Sequence, residues 1–278
     1  MSASIAYKTR HVRVQFENES GQSSHLTFGD GSIAIIAGPC SIESREHLLE
    51  TARGIKRAGA CFLRGGIYKM RTKPEAFQGI GNEAFSFLPA VKREVGLPIV
   101  SEITDPRQLS DFMDTVDMFQ VGSRNMYNYE LLKELGATKK PVLLKRAFAA
   151  TVDEWLKAAD YVVKGGNDDV LLCERGIRTF ETTTRNTLDL NSVAYIKAHT
   201  SFPVIVDPSH GTGRPELIKP MSLAGVAAGA DGLIIEVHPR PVEALSDAHQ
   251  ALNFEQFSQI VDDVRKVATA LGRGMVTV

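Results

Sequence analysis

Cysteine is scarce in this chain of 278 residues: Cys40, Cys61 and Cys173 stand far apart, with no CxxC pair. A disulfide framework is therefore not expected, and free thiols fit a reducing, cytoplasmic setting. The opening stretch MSASIAYKTRHVRVQFE lacks the apolar core of a signal peptide, and no apolar run approaches the roughly 20 residues that span a bilayer. An excess of one charge is lacking too. At a formal net charge of −1, neither nucleic acid nor an anionic membrane has global electrostatic support as a partner, so any basic cluster is a local feature. No GxGxxG follows the first apolar strand, which removes the fingerprint of an open dinucleotide-binding sheet, and no linker or low-complexity run divides the chain.

What is present is a rhythm. Polar and apolar residues alternate from 11 to 29 around the turn-rich Asn18-Glu-Ser-Gly21, the mark of a β-hairpin. Short apolar cores then recur at Ile33–Ala37, Ala60–Leu63, Pro98–Ser101, Met118–Val121, Val142–Leu144, Val170–Leu172, Val204–Val206 and Leu233–Ile235. Amphipathic stretches of helical length lie between them, among them Arg45–Arg57, Glu83–Glu94, Pro106–Thr115, Val152–Lys164, Asn191–His199 and Phe254–Leu271. Two carry start signals, the capping pattern Thr151-Val-Asp-Glu154 and the proline after Thr104-Asp105. Uniformly apolar strands, each followed by a helix, describe a parallel sheet covered on its outer face and closed on itself. The expected fold is a single α/β unit, a (β/α)8 TIM barrel over residues 33–278. Residues 1–32 form a hairpin extension that plugs the barrel bottom, and no regulatory domain is expected.

Barrel enzymes draw their chemistry from the C-terminal ends of the strands. Here those ends carry Cys40, Arg64, Glu102, Arg124, Lys145, Glu174 with Arg175, His210 and Glu236. Cys40, His210 and Glu236 are a soft, a borderline and a hard ligand able to converge on one divalent transition metal, with Asp247 as a candidate fourth. Arg64, Lys69, Arg71, Arg124, Lys145 and Arg175 put more positive charge on one rim than one phosphate needs, which suggests two phosphorylated substrates. The loop Leu63-Arg-Gly-Gly-Ile-Tyr-Lys-Met-Arg-Thr-Lys-Pro74 supplies much of it: glycines let backbone amides approach an anion, Arg offers a fork, Lys a point charge and Thr72 a hydroxyl. Glu102 among these cations can hold or deprotonate a water; its alternative role is a salt-bridge partner of Lys145.

The motifs GPCSIES (38–44), LRGGIYKMRTKPEAFQG (63–79), VGSRN (121–125), VLLKR (142–146), CERGIRTFE (173–181), DPSHGTGR (207–214) and IEVHP (235–239) resemble those of the 3-deoxy-D-arabino-heptulosonate 7-phosphate (DAHP) synthases, in the beta subgroup of type I. The resemblance implies a metal-dependent, aldol-like condensation of phosphoenolpyruvate with erythrose 4-phosphate, the entry to the shikimate pathway. It implies a divalent ion (Mn, Co, Fe or Zn) and a homo-oligomer, tetramer or dimer. Position by position it assigns Cys40, His210, Glu236 and Asp247 to the metal. Arg64, Lys69, Gly122, Ser123, Arg124, Lys145 and Arg175 go to phosphoenolpyruvate, and Arg71 and Thr72 to the aldose phosphate. Lys69, Glu102 and Lys145 carry the proton and water chemistry. Where the family usually has Lys-Pro-Arg-Thr-Ser, this chain has Lys69-Met-Arg-Thr-Lys73, so Met70 loses proline's fixed φ while keeping a carbonyl for a sugar hydroxyl. Two rivals stand beside this expectation: an octulosonate 8-phosphate synthase acting on another aldose phosphate, and a non-catalytic barrel that binds a phosphorylated metabolite.

Overall fold

The computed structural model describes residues 8–278; the first seven residues of the expected N-terminal extension lie outside the described residues. Strands β1 (Val12–Glu17) and β2 (Ser23–Phe28) form an antiparallel hairpin in register from Val12 opposite Phe28 to Glu17 opposite Ser23. Eight further strands follow: β3 (Ala34–Gly38), β4 (Phe62–Arg64), β5 (Ile99–Glu102), β6 (Met118–Val121), β7 (Val142–Lys145), β8 (Val170–Glu174), β9 (Val204–Val206) and β10 (Gly232–Glu236). Each pairs in parallel with the next, and β10 closes on β3 from Gly232 opposite Ala34 to Glu236 opposite Gly38. The expected barrel is therefore the observed one.

Both faces of the barrel wall are buried, which is why the strands read as unbroken apolar runs. Outward residues such as Ile35, Leu63, Phe119, Leu144 and Ile235 pack beneath the helices. Inward residues Ile36, Phe62, Val100, Met118, Leu143, Leu171, Ile205 and Ile234 meet Val12, Val14, Phe16, Leu26 and Phe28 of the hairpin, so the N-terminal end is a packed plug. Apolar side chains fill that end, and the polar inward residues collect at the other.

The helical layer departs from the sequence expectation in detail. Helices α1 (Arg45–Arg57), α5 (Val152–Lys164) and α9 (Phe254–Ala270) lie where the periodicity put them, α5 with the reciprocal capping box of Thr151 and Glu154. The stretch Glu83–Glu94 is two elements: a 3₁₀ turn, Gly81–Ser86, then α2 (Leu88–Val95) with Pro89 in its first turn. Pro106–Thr115 likewise opens as a 3₁₀ turn capped by Asp105 before α3 (Leu109–Thr115). Helices α4 (Tyr129–Gly136), α6 (Leu190–His199), α7 (Pro208–Thr212) and α8 (Pro215–Ala227) complete the layer.

Candidate active site

The polar end of the barrel is a cavity lined by Cys40, Arg64, Lys69, Met70, Arg71, Thr72, Glu102, Gly122, Ser123, Arg124, Lys145, Arg175, His210 and Asp247, with Glu236 buried just beneath. Strand ends and loops that are far apart in sequence thus deliver every expected site residue to one place. Gly122 is needed for this: a Cβ there would lie 2.1 Å from Glu102 Oε1, so only glycine lets that carboxylate sit against the β6 loop. Asp247 is the single non-glycine residue with positive φ among those described, at 51°, a left-handed turn that Asp tolerates and that aims its carboxylate inward.

Four donors converge. Cys40 Sγ lies 3.2 Å from Asp247 Oδ2 and 3.9 Å from His210 Nε2, and His210 Nε2 lies 3.4 Å from Glu236 Oε1 and 3.9 Å from Asp247 Oδ2. His210 Nδ1–H donates to the carboxylate of Asp207 at 2.8 Å, which leaves the Nε2 lone pair facing the cluster. Glu236 Oε1 is buried with no hydrogen-bond partner among the described residues, the Arg64 guanidinium lying 3.6 Å away, while Gln250 donates to Oε2. A buried carboxylate oxygen left open beside an imidazole lone pair, a thiol and a second carboxylate fits a divalent transition metal. Burial, with Glu236 nearby, pushes the Cys40 thiol up to about 12, and burial lowers His210 to about 4. Burial alone would raise the carboxylate of Asp247, but Lys69 and His210 outweigh it and hold Asp247 well below its usual range.

Lys69 Nζ sits against this cluster, donating to Cys40 Sγ and, at 2.8 Å, to Asp247 Oδ2. Burial would depress its pKa, yet Cys40, Asp247 and Glu236 outweigh that and hold it above the ordinary lysine value. Lys145 Nζ donates to Asp207 Oδ2 at 2.7 Å, so its ion-pair partner is Asp207, and the alternative of a Lys145–Glu102 bridge gives way. Glu102 accepts from Gln120 at 3.3 Å, and burial raises its pKa against the pull of Lys145, Lys69 and Arg64. Among the described residues Arg64 Nη1, Arg71 Nη1 and Ser123 Oγ are buried donors with no acceptor, and Arg124 reaches only the Thr72 hydroxyl, at 3.3 Å. Such donors are arranged for oxygens that the chain does not itself provide.

Glu174, although a strand-end charge, faces away from the cavity. It binds Arg146 at 3.0 Å in a buried network with Asp189 and Ser192. Sequence reasoning passed over Asp207, which orients both His210 and Lys145, as well as Gln120, Arg185 and Phe148 of the cavity wall. Asp207 lies inside the quoted DPSHGTGR motif, which was the available signal; the others stand where nothing local marks them.

The model of the DAHP synthetase I family matches residues 13–271. The chain belongs to that family. Phospho-2-dehydro-3-deoxyheptonate aldolase of Thermotoga maritima is 47% identical over 247 residues, 89% of this chain and 73% of that protein. A 2-dehydro-3-deoxyphosphooctonate aldolase of Acidithiobacillus ferrooxidans is 31% identical over 235 residues, 78% of this chain and 83% of that protein. The crystal structure of the Thermotoga maritima DAHP synthase superposes with a TM-score of 0.87 at 45% identity, covering 90% of this chain and 74% of that one. A truncated form of that synthase gives 0.84 at 43% identity, over 90% and 92%.

Proposed function

We propose that this chain condenses phosphoenolpyruvate with erythrose 4-phosphate and water to give 3-deoxy-D-arabino-heptulosonate 7-phosphate and phosphate, the entry step of the shikimate pathway. The observation that carries the reading is a set of cationic donors on the two sides of one ligand cluster: among the described residues Arg64 Nη1 and Arg71 Nη1 are buried with no acceptor, and Arg124 and Arg175 have no carboxylate partner. Arg64, Arg124, Lys145 and Arg175, with Ser123 on the Gly122 turn, take the phosphate and carboxylate of phosphoenolpyruvate. Arg71 and Thr72 take the aldose phosphate, with Lys73 on the same wall and the Met70 carbonyl facing the sugar hydroxyls. Holding two mutually repelling anions in attack geometry supplies several kcal/mol of the barrier, on the order of 7 or more in favourable cases.

As C3 of phosphoenolpyruvate bonds to the aldehyde carbon, negative charge grows on the aldehyde oxygen. Lys69, protonated at neutral pH by its anionic neighbours, donates a proton there. A divalent ion held by Cys40, His210, Glu236 and Asp247 would add Lewis acidity toward that oxygen, and this donor set suits Mn, Co, Fe or Zn. Positive charge left on C2 draws in a water held between Glu102 and Lys145. Glu102 takes its proton, and the hemiketal phosphate formed expels phosphate to leave the ketone. The raised pKa of Glu102 matches a group that must accept a proton and pass it on.

Two features favour the heptulosonate over the octulosonate reading: the greater identity to the heptonate-forming relative, and the loop Lys69-Met-Arg-Thr72. Against a non-catalytic barrel, no ligand and no catalytic lysine has been lost. The same reading takes the enzyme as a cytoplasmic homo-oligomer, tetramer or dimer; its three cysteines are free thiols, and exposed Tyr129 and Tyr161, stacked at 4.5 Å, form an aromatic patch of the kind interfaces use. Phosphoenolpyruvate consumption with each aldose phosphate, with and without a strong chelator, tests the function. Turnover with erythrose 4-phosphate that the chelator stops is expected. A preference for arabinose 5-phosphate, or full activity in chelator, would overturn the reading.

A further inference from the structure

Two neighbouring buried arginines are held in opposite ways. Arg146 donates to Glu174 at 3.0 Å and to Asp189 at 2.9 Å, a neutralised pair that faces away from the cavity. Arg175 lines the cavity, and among the described residues no carboxylate lies within ion-pair distance of it; burial lowers its pKa to about 10. Arg124, more exposed, also lines the cavity with no carboxylate within ion-pair distance among the described residues, and its guanidinium donates only to the Thr72 hydroxyl. A carboxylate partner would fix either guanidinium but would also compete with an incoming phosphate. What stands in its place is the ring of Phe148. The guanidinium carbons of Arg175, Arg178 and Arg124 lie 4.7, 4.8 and 5.2 Å from its centroid, and its carbonyl accepts the Arg178 backbone N–H at 2.7 Å.

We propose that Phe148 is a positioning residue for phosphoenolpyruvate, its π face holding Arg175 and Arg124 in the cavity without neutralising them. The ring's quadrupole attracts a cation strongly where water is excluded, yet carries no net charge to set against the substrate. Position follows from the same geometry: Phe148 sits three residues beyond Lys145, the last residue of β7, so one strand end supplies both a cation and the platform for two others.

The proposal rests on the phosphoenolpyruvate reading, and its test separates the two. The full metal-loaded chain is titrated with phosphoenolpyruvate by calorimetry and assayed at steady state, comparing wild type, Phe148→Leu, Phe148→Tyr and a series with mono- to pentafluorophenylalanine at 148. Phe148→Leu should weaken binding and raise KM for phosphoenolpyruvate about tenfold, with kcat changed by no more than about twofold and an unchanged melting midpoint. Phe148→Tyr should restore near wild-type KM, and each added fluorine should weaken binding further, because fluorination drains the ring face at nearly constant shape. Wild-type affinity in Phe148→Leu, or a flat fluorine series, would overturn the proposal while leaving the function intact. A wild-type chain that binds no phosphoenolpyruvate would overturn the functional reading and the proposal with it.

Discussion

Among the described residues two clusters bring candidate metal ligands equally close together, and hydrogen positions set them apart. Cys40, His210, Glu236 and Asp247 form one; Glu43, His47 and His238 form the other, and in each the candidate ligand atoms all lie within 4.8 Å of one another. In the first, Asp207 accepts the Nδ1–H of His210 and turns a lone pair toward the cluster. In the second, His238 Nδ1 accepts the backbone N–H of Arg240 at 3.0 Å, so its own hydrogen sits on Nε2, the atom that points at Glu43 from 3.5 Å. The Thr51 hydroxyl gives its hydrogen to the carbonyl of His47 at 2.8 Å. It can therefore only accept from His47 Nε2 at 3.4 Å, which leaves Nδ1 as a single lone pair without a partner among the described residues. A cation at the second cluster would have to strip His238 Nε2 while an amide still presses on Nδ1. Burial, with His238 beside it, lowers His47 to about 4, and the two rings lie tilted against each other with centroids 4.3 Å apart. Converging donor atoms are not a metal site until their outer partners free the lone pairs.

The sharpest break of that contrast is Cys40→Ala. It should remove bound metal and activity together, with activity lost by about 10³-fold or more, while the barrel still melts cooperatively. Metal analysis and circular dichroism check it, and a fully active metal-free variant would sink the ligand assignment. Lys69→Met should reduce kcat by about 10²- to 10⁴-fold, the range for a lost general acid, and keep one metal per chain. Near-normal kcat would make Lys69 a phosphate contact only.

Legibility in the sequence followed the same line. The strand cores were readable because both faces of a barrel wall are apolar, and the strand-end residues because a barrel forces them onto one rim. What was not readable is whatever depends on a neighbour distant in sequence. Asp207 stands inside the DPSHGTGR motif, but its role comes through Lys145, 62 positions away, as well as His210, and Gln250 acts through Glu236 with no local pattern to announce it. Helix α8 carries Pro220 inside it, and its buried Ile218, Ser222, Gly225 and Val226 make a weakly apolar face that periodicity does not flag. The break in Glu83–Glu94 reflects Pro89, which begins a helix better than it continues one. Glu174 shows the converse, a charge at a strand end whose side chain serves packing, because alternation along β8 turns it outward.

A smaller effect sharpens the comparison through pH. The free Cys40 thiol is protonated throughout the neutral range, at about 12, and must become a thiolate on binding, whereas His210, at about 4, is already neutral and both carboxylates are ionised. Metal uptake at pH 7 should therefore release about one proton, and affinity should rise about tenfold per pH unit between 5 and 8. Below about pH 4 the slope should steepen as His210 also takes up a proton. Calorimetry in buffers of different ionisation enthalpy counts the protons. A count near two would mean that Lys69, lying against Cys40, gives up its proton as well and enters the reaction neutral.

The smallest expected effect is the most direct test of the second cluster. His47→Leu removes a buried ring whose Nδ1 has no partner, and it keeps the Thr51 hydroxyl bonded to the backbone carbonyl at 47, because that acceptor does not depend on the side chain. The losses are the contact between Thr51 and Nε2 and the tilted ring contact with His238; the gain is the relief of an unsatisfied polar atom in the core, worth about 1 to 3 kcal/mol. These terms are of similar size and opposite sign, so stability should change by no more than about 1 kcal/mol, a shift of about 2 to 4 °C in melting midpoint for a domain of this size. Bound metal should stay at one per chain and kcat should not move, since Glu43, His47 and His238 lie outside the wall of the cavity. A variant that drops from two metals to one, or melts far below wild type only when metal is present, would show that the second cluster holds a cation and that an imidazole can give up its hydrogen against a facing amide.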